Sequence, residues 1–550
     1  MPKLYYTITG EGKDGPVSVA GAAEGVWEIP GGEKDGYRFM LLKAEPELPA
    51  CTLETVTAEL PIQMQEEEFL FMNGWQAWSY CPEQTKTGKT RGLNGLPGPL
   101  VKYFGLDRYA DYHYTAYPNK TGLMQGVSYL YFRNGETYRL IASLDEEPGY
   151  THFTYNAKLN KLTIRRDCAG LKTEGKYKAL DLYFGVGSEK EVFDGWFDAM
   201  DISPRTKEPI TGYSSWYNRY ENISQETILS DLEGAAGLLK PGDVFQIDDG
   251  WEPAVGDWLE ADPVKFPDGM KAMADVIHEK GFKAGLWLAP FAACKKSALY
   301  EEHPQWFYFH KHEPWYAGIN WGGFYALDFD HPEVQAYIKE TFRKVFDEWG
   351  FDLVKLDFLY AAAPYGNAKE TRAGRMIRAM RFIREVCGDK LIIGCGVPLM
   401  PVFGVVDYCR ISCDVGLDWN DNALMQKIHR ERVSTKQAIE NAIYRRQLDG
   451  RAFGADPDVF YLRDENIKLT TEEKKLLAIN CALFGTVHLC SDDMGTFNDA
   501  KRDAWNRLRL IAEEAKDIRV EHTLDKKGKE KLTVNYRLDE TEYTYEVPLG

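Results

Sequence analysis

From the start of the chain to about residue 205, hydrophobic and polar positions alternate in short runs: LYYTIT, YRFMLL, VSYLYFR, TYRLIAS, THFTYNA and KLTIRR, broken by Gly, Asn and Asp. Period-two alternation without a helical period predicts a β-sandwich over residues 1–205. Near Pro204 the texture changes, and from Gly212 strand-like runs alternate with amphipathic helical stretches. That is the pattern of a parallel α/β sheet or barrel. The candidate strands are TGYSSWY (211–217), DVFQIDD (243–249), FKAGLWLAP (282–290), FDLVKLDF (351–358), KLIIGCG (390–396), DYCRISCD (407–414), RAFGADPD (451–458) and TVHLCSDD (486–493). Helical stretches such as MKAMADVIHEK and AGRMIRAMRFIREVC lie between them. Strand–helix units in that number favour a closed (β/α)8 TIM barrel over residues 206–515. An aromatic-rich insert, HPQWFYFHKHEPWYAGINWGGFYALDFD, follows the third strand and is expected to cap the barrel mouth. After about residue 515, RVEHTL, KLTVNY and EYTYEVPL predict a small C-terminal β unit (516–550), too short to fold alone. The expected fold class is multidomain α/β and β: sandwich, barrel, small β domain.

The fourth strand ends by placing Lys355 and Asp357 two residues apart, on one face of a strand. A neighbouring ammonium keeps a buried carboxylate ionised. Such a group suits a nucleophile at a sugar carbon, or equally an ion pair that closes the strand. Barrel chemistry gathers at the C-terminal strand ends. Here those ends carry Asp248, Asp249, Asp357, Asp414, Asp456, Asp458, Asp492 and Asp493. Helix capping is the better account of Asp493 and a fair one of Asp458. So many acids, without a His-rich set, point to carboxylate chemistry or polar-ligand binding with no metal and no cofactor. Asp357 and Asp414 end alternate strands, which feed the same interior layer, so they can converge. Arg410 is expected to point toward the ligand or Asp357, because against Asp414 it would lower the pKa that a general acid needs raised. Trp75 and Trp78 of NGWQAWSY are either packed core or a platform for the apolar face of a sugar.

At 550 residues the chain is suited to two to four domains. Its 44% hydrophobic and 27% charged composition is that of an ordinary globular protein. A net charge of -18 argues against nucleic acid as a partner. No basic start precedes an apolar core, and no apolar run approaches the ~20 residues of a membrane span, so neither a secretory signal nor a membrane partner is expected. The 10 cysteines include no Cys-x-x-Cys pair, which sets reduced thiols and a cytoplasmic location as the expectation.

FQIDDGW, GLWLAPF, LVKLDFLYA, IIGCGVPL and CRISCD, with NGWQAW and TGYSSWY upstream, together resemble the α-galactosidases of glycoside hydrolase family 36. The motifs run in family order from Asn73 to about Asp493; as a set they are specific, and any one alone is weak. The resemblance implies retaining double displacement on small α-galactosides such as melibiose or raffinose-type sugars, with Asp357 as nucleophile and Asp414 as acid/base. It implies Asp248 and Asp249 on the O4 and O6 hydroxyls, Lys355 near O3 and O4, and Arg410 and Cys395 around O2. Trp287 and Trp216 would line the pocket. Trp78 would reach in from the sandwich of this chain or of a neighbouring subunit, since such enzymes often form homo-oligomers. A pocket that hydrogen-bonds an axial O4 rejects glucose, because its own polar groups would be left unpaired. Asp418 in VGLDWNDN and the short C-terminal unit depart from the family pattern, the first bearing on O2 or on the leaving-group site. Three alternatives stay open. One is an α-N-acetylgalactosaminidase or β-L-arabinopyranosidase; the others are a Schiff-base lyase at Lys355 and a non-catalytic sugar-binding protein.

Overall fold

The computed structural model describes residues 3–32, 36–94, 96–103, 105–109 and 111–549. The alternating runs pair into a 7-stranded and a 6-stranded antiparallel sheet. Inward positions of the first (Leu4, Ile8, Val56, Phe153, Ile164) meet those of the second (Met40, Leu42, Leu70, Leu182) in a core of their own, as in a face-to-face sandwich. Two segments depart from the all-strand expectation: Gly98–Tyr103 is a short α-helix, and a longer one follows the last sandwich strand. Glu189–Met200 is an α-helix, capped by Ser188 with Glu191 returning the bond, and it buries Val192, Phe193, Trp196 and Phe197. The capping box and the helical spacing were both present in SEKEVFDGWF, inside a stretch dominated by strand signal.

The barrel strands are Ile210–Ser214, Val244–Ile247, Lys283–Leu288, Leu353–Leu356, Leu391–Gly394, Tyr408–Arg410, Gly454–Asp456 and Val487–Cys490. They form one 8-stranded sheet in chain order, with the eighth strand beside the first. At the seam between the seventh and eighth, Thr486 N–H donates to Ala455 O at 2.8 Å, leaving the barrel nearly closed. Each strand is shorter than its hydrophobic window, so several predicted strand-end residues sit on loops. An α-helix follows every strand except the fifth, which leads into a single 3-10 turn, Met400–Val402. Pro398 and Pro401 explain the exception, since proline removes helix hydrogen bonds and clashes with the preceding turn.

The three C-terminal strands, Lys516–Leu524, Glu530–Leu538 and Thr541–Val547, form a small antiparallel sheet. Leu532, Val534, Tyr536, Leu538 and Val547 join the barrel's core. The sheet also touches the sandwich: His522 stacks on Phe69 at 3.7 Å and its Nδ1 lies 2.8 Å from Glu83 Oε2. No helix among the described residues is long and apolar enough to cross a membrane.

Candidate active site

A cavity of about 260 Å³ opens at the C-terminal end of the barrel strands, where barrel loops converge. Its floor is built by the turn after the second strand and by the fourth strand. Asp248 accepts from Gln246 Nε2 at 2.7 Å and from Lys355 Nζ at 2.9 Å, while its own N–H is held by Ser215 Oγ at 2.9 Å. Lys355 therefore pairs with Asp248 rather than with Asp357, as its spacing had suggested. Burial pulls the Lys355 pKa down, but the Asp248 charge outweighs it and the amine stays protonated. A permanently charged ammonium is a poor Schiff-base nucleophile. Asp249 accepts from Trp321 Nε1 at 2.8 Å.

Asp357 follows the fourth strand directly. Phe358 N–H donates to its Oδ1 at 2.8 Å and Trp287 Nε1 to its Oδ2 at 3.3 Å. Two N–H donors aimed at one carboxyl fix its orientation. Asp414 lines the same cavity, with 38% of its side chain open. The sixth strand ends at Arg410, so the following residues bend instead of continuing as strand, and Arg410 Nη1 meets Asp414 Oδ1 at 2.8 Å. This overturns the expectation that Arg410 avoids Asp414. Arg410 also binds Asp458 at 2.8 Å and Asp456 at 3.3 Å, so its charge is divided among three acids. Burial is the largest influence on Asp414; with the Asp458 and Asp357 charges it outweighs Arg410 and raises the pKa to about 6. The acid thus keeps a raised pKa despite its arginine.

The walls come from widely separated stretches. Trp78 reaches in from this chain's own sandwich, and its ring packs over Gly396, where a Cβ would lie 2.8 Å from the indole. Gly396 also has φ +53°, so glycine is required there twice over. Ala77 N–H donates to Val397 O at 3.2 Å, stitching the loop to the barrel. Buried Arg445 clamps it from behind, bonding Asn73 Oδ1, Gln76 O, Ala77 O, Cys81 Sγ and the barrel carbonyl of Ile411. Trp75 points elsewhere: it packs between Tyr114, Tyr150 and Tyr360 under the Arg372 guanidinium. Of the two tryptophans, one is core and the other is pocket wall.

The insert after the third strand supplies Asn320 and Trp321. Trp321 and Phe358 both adopt positive φ (55° and 51°), a region bulky residues avoid at about 1–3 kcal/mol each. Their rings lie 5.1 Å apart, and Phe324 packs 5.0 Å from Phe358, so aromatic packing holds the strained backbones at the cavity edge.

Asp357, Asp414, Asp248, Asp249, Lys355, Trp287, Trp216 and Trp78 all line the one cavity. Arg410 and Cys395 do not: both are buried beneath it, at 2% and 1% exposure. Asp418 pairs with Lys468 at 3.1 Å, away from the cavity, so the departure at that position does not touch the site. Asp493 caps a short turn through Gly495 N–H, as its capping account implied. The sequence reading missed Tyr109, Tyr217, Glu221, Asn320, Trp321, Phe358, Cys413, Glu431, Arg432 and Val433. Phe358 and Cys413 adjoin the two acids in sequence, and Trp321 lies in the insert marked as a cap. Nothing local marks Tyr109, which comes from the sandwich and reaches the site by binding Asn320 Oδ1 at 2.7 Å.

The melibiase family model matches residues 205–387. The α-galactosidase Mel36A of Lactobacillus acidophilus is 30% identical over 182 residues, 32% of this chain and 24% of that protein. The α-galactosidase AgaA of Geobacillus stearothermophilus is 26% identical over 196 residues, 33% of this chain and 26% of that protein. The matched stretch therefore spans about a quarter of these curated relatives. Among solved structures, TtGalA, an α-galactosidase from Thermus thermophilus in complex with p-nitrophenyl α-D-galactopyranoside, superposes with a TM-score of 0.72. It is 25% identical, over 94% of this chain and 98% of its own. The AgaA structure superposes with a TM-score of 0.58 at 12% identity, over 96% of this chain and 80% of its own, and bears on the fold alone.

Proposed function

We propose that this chain, which belongs to glycoside hydrolase family 36, is a retaining α-galactosidase that removes terminal α-D-galactosyl units from small galactosides of the melibiose and raffinose type. One observation carries the reading: an oriented carboxylate, Asp357, and an acid with a raised pKa, Asp414, face one cavity whose floor presents a separate carboxyl pair. The volume, small beside the about 300–1,000 Å³ of drug-sized sites, suits a single sugar unit. TtGalA has also been solved with stachyose, which supports oligosaccharides as the substrate class.

In this mechanism Asp357 attacks the anomeric carbon while Asp414 gives its proton to the departing glycosidic oxygen. The ester so formed removes the Asp357 charge, one of the influences that raise the Asp414 pKa. Asp414 then becomes a stronger acid, remains ionised, and takes a proton from the water that displaces Asp357. Asp248 and Asp249 receive the hydroxyls that mark galactose, and Trp78, Trp216 and Trp287 supply apolar walls. All 10 cysteines are unpaired and buried, which supports a reducing, cytoplasmic compartment.

A panel of aryl α- and β-glycosides, with product configuration followed by NMR, tests the reading. Turnover of the α-galactoside with retention is expected, and Asp357→Ala should abolish it without loss of fold. Inversion, preference for an N-acetylgalactosaminide or arabinopyranoside, or substantial residual hydrolysis by Asp357→Ala would overturn it.

A further inference from the structure

Glu252 is a buried acid that the mechanism above leaves without a role. It lies three residues beyond Asp249 in the turn Asp249-Gly250-Trp251-Glu252, and the two are 3% and 5% exposed. Gly250 makes the turn with φ +112°, where a Cβ would lie 2.8 Å from the Glu221 carbonyl. Trp251 anchors it by donating Nε1–H to Trp287 O at 2.9 Å. The turn brings the Glu252 and Asp249 carboxyls into hydrogen-bond contact. Two carboxylates cannot make that contact, because each only accepts; one proton has to sit between them.

The surroundings supply no paired charge to replace that proton. Among the described residues neither group forms an ion pair. Lys265 acts on Glu252 through its charge, but its Nζ is hydrogen-bonded elsewhere, to Glu221 O at 3.0 Å and Gly250 O at 2.8 Å. The other titratable groups facing the pair are Asp248, whose charge Lys355 already takes up, and Cys294 with Asp257 behind Glu252. Burial first, and then the partner carboxyl, pushes the Asp249 pKa well up. On the cavity side, Trp321 Nε1–H holds Asp249 Oδ2 at 2.8 Å.

We propose that Glu252 is a positioning residue for ligand binding: it shares one proton with Asp249 and, together with Trp321, fixes the Asp249 carboxyl toward the sugar. The floor of the cavity then presents two unlike groups, Asp248 as a carboxylate anchored by Lys355 and Asp249 as half of a proton-sharing pair. This rests on the galactoside reading of the cavity. Loss of the shared proton at alkaline pH sets two adjacent anions against each other, displaces Asp249 and weakens the sugar's hold.

Glu252→Gln separates these ideas, because glutamine donates a permanent N–H to Asp249 and does not titrate. In the wild type, the galactose Kd measured by calorimetry between about pH 5 and about pH 9 should rise about three- to tenfold at the alkaline end, the loss of one hydrogen bond. Glu252→Gln should bind at neutral pH nearly as the wild type does and should lack the rise; Glu252→Ala should bind weakly throughout. An infrared difference between wild type and Glu252→Gln at neutral pH should show a protonated-carboxyl stretch in the wild type alone, with no ligand needed. If that band is absent, or if Glu252→Gln keeps the alkaline rise, the proton-sharing pair is overturned. If the band is present and the wild type binds no galactose, the pair stands and the galactoside reading fails.

Discussion

Arg445 is the residue through which the sandwich loop and the barrel are held in register, and its replacement by methionine has a calculable effect. The guanidinium is fully buried and makes five hydrogen bonds, to Asn73, Gln76, Ala77, Cys81 and Ile411. Among the described residues it pairs with no carboxylate, so its charge is balanced by the carbonyl dipoles it binds. Hydrogen bonds from a charged donor contribute about 1.5–3 kcal/mol each. Against that stands a burial penalty of several kcal/mol for the ion itself, which methionine does not incur. The balance leaves a destabilisation of at least about 3 kcal/mol, the large end for a single substitution. Methionine keeps the apolar stem, so the loss is not one of packing volume. Urea unfolding followed by tryptophan fluorescence reads the stability change. The second effect is local: loop 73–81 loses its clamp and Trp78 its fixed position, so KM should rise about three- to tenfold, the range of a lost aromatic contact, with kcat less affected. Stability within about 0.5 kcal/mol of wild type, together with an unchanged KM, would refute the assignment of Arg445 as the clamp.

The remaining predictions concern Asp414 and His522. The Asp414 pKa is raised to about 6, so kcat/KM on substrates with poor leaving groups should fall tenfold per pH unit above that value. Asp414→Ala should cost about 10²–10⁴-fold on those substrates and much less on activated aryl galactosides; equal losses on both would reject its acid role. Asp357→Asn removes a negative charge beside Asp414 and should lower its titration midpoint, read by carboxyl NMR. His522 links the C-terminal sheet to the sandwich: burial lowers its pKa, but hydrogen bonds to Glu530 and Glu83 outweigh this and raise it. A raised folded-state pKa means that its contribution is full below the unfolded value of about 6.5 and is lost as pH rises through the folded value. The stability gap between wild type and His522→Phe should therefore shrink above about pH 6.5, and a gap that widens would contradict the pairing.

The chain's own order of residues determined the layers and the acids of the site. Period-two alternation marked the sandwich, and the strand–helix rhythm marked the barrel. The acids at the strand ends marked Asp248, Asp249, Asp357 and Asp414, because a barrel sends those positions to one mouth whatever the loops do. What the tertiary structure alone decided is which charge meets which. Spacing put Lys355 beside Asp357, yet the barrel turns it across the mouth to Asp248, after the second strand. Spacing also carried the sixth strand through to Asp414, but it stops at Arg410, and the bend delivers the arginine to Asp414 and buries it below the cavity. Tyr109 and Arg432 arrive from two unrelated stretches whose local sequence carries no trace of a pocket, whereas Trp321 comes from the insert expected to cap the mouth. The physical reason is one of range: backbone pattern is set by near neighbours along the chain, whereas ion pairing is set by proximity in space, which exists only once the barrel has closed.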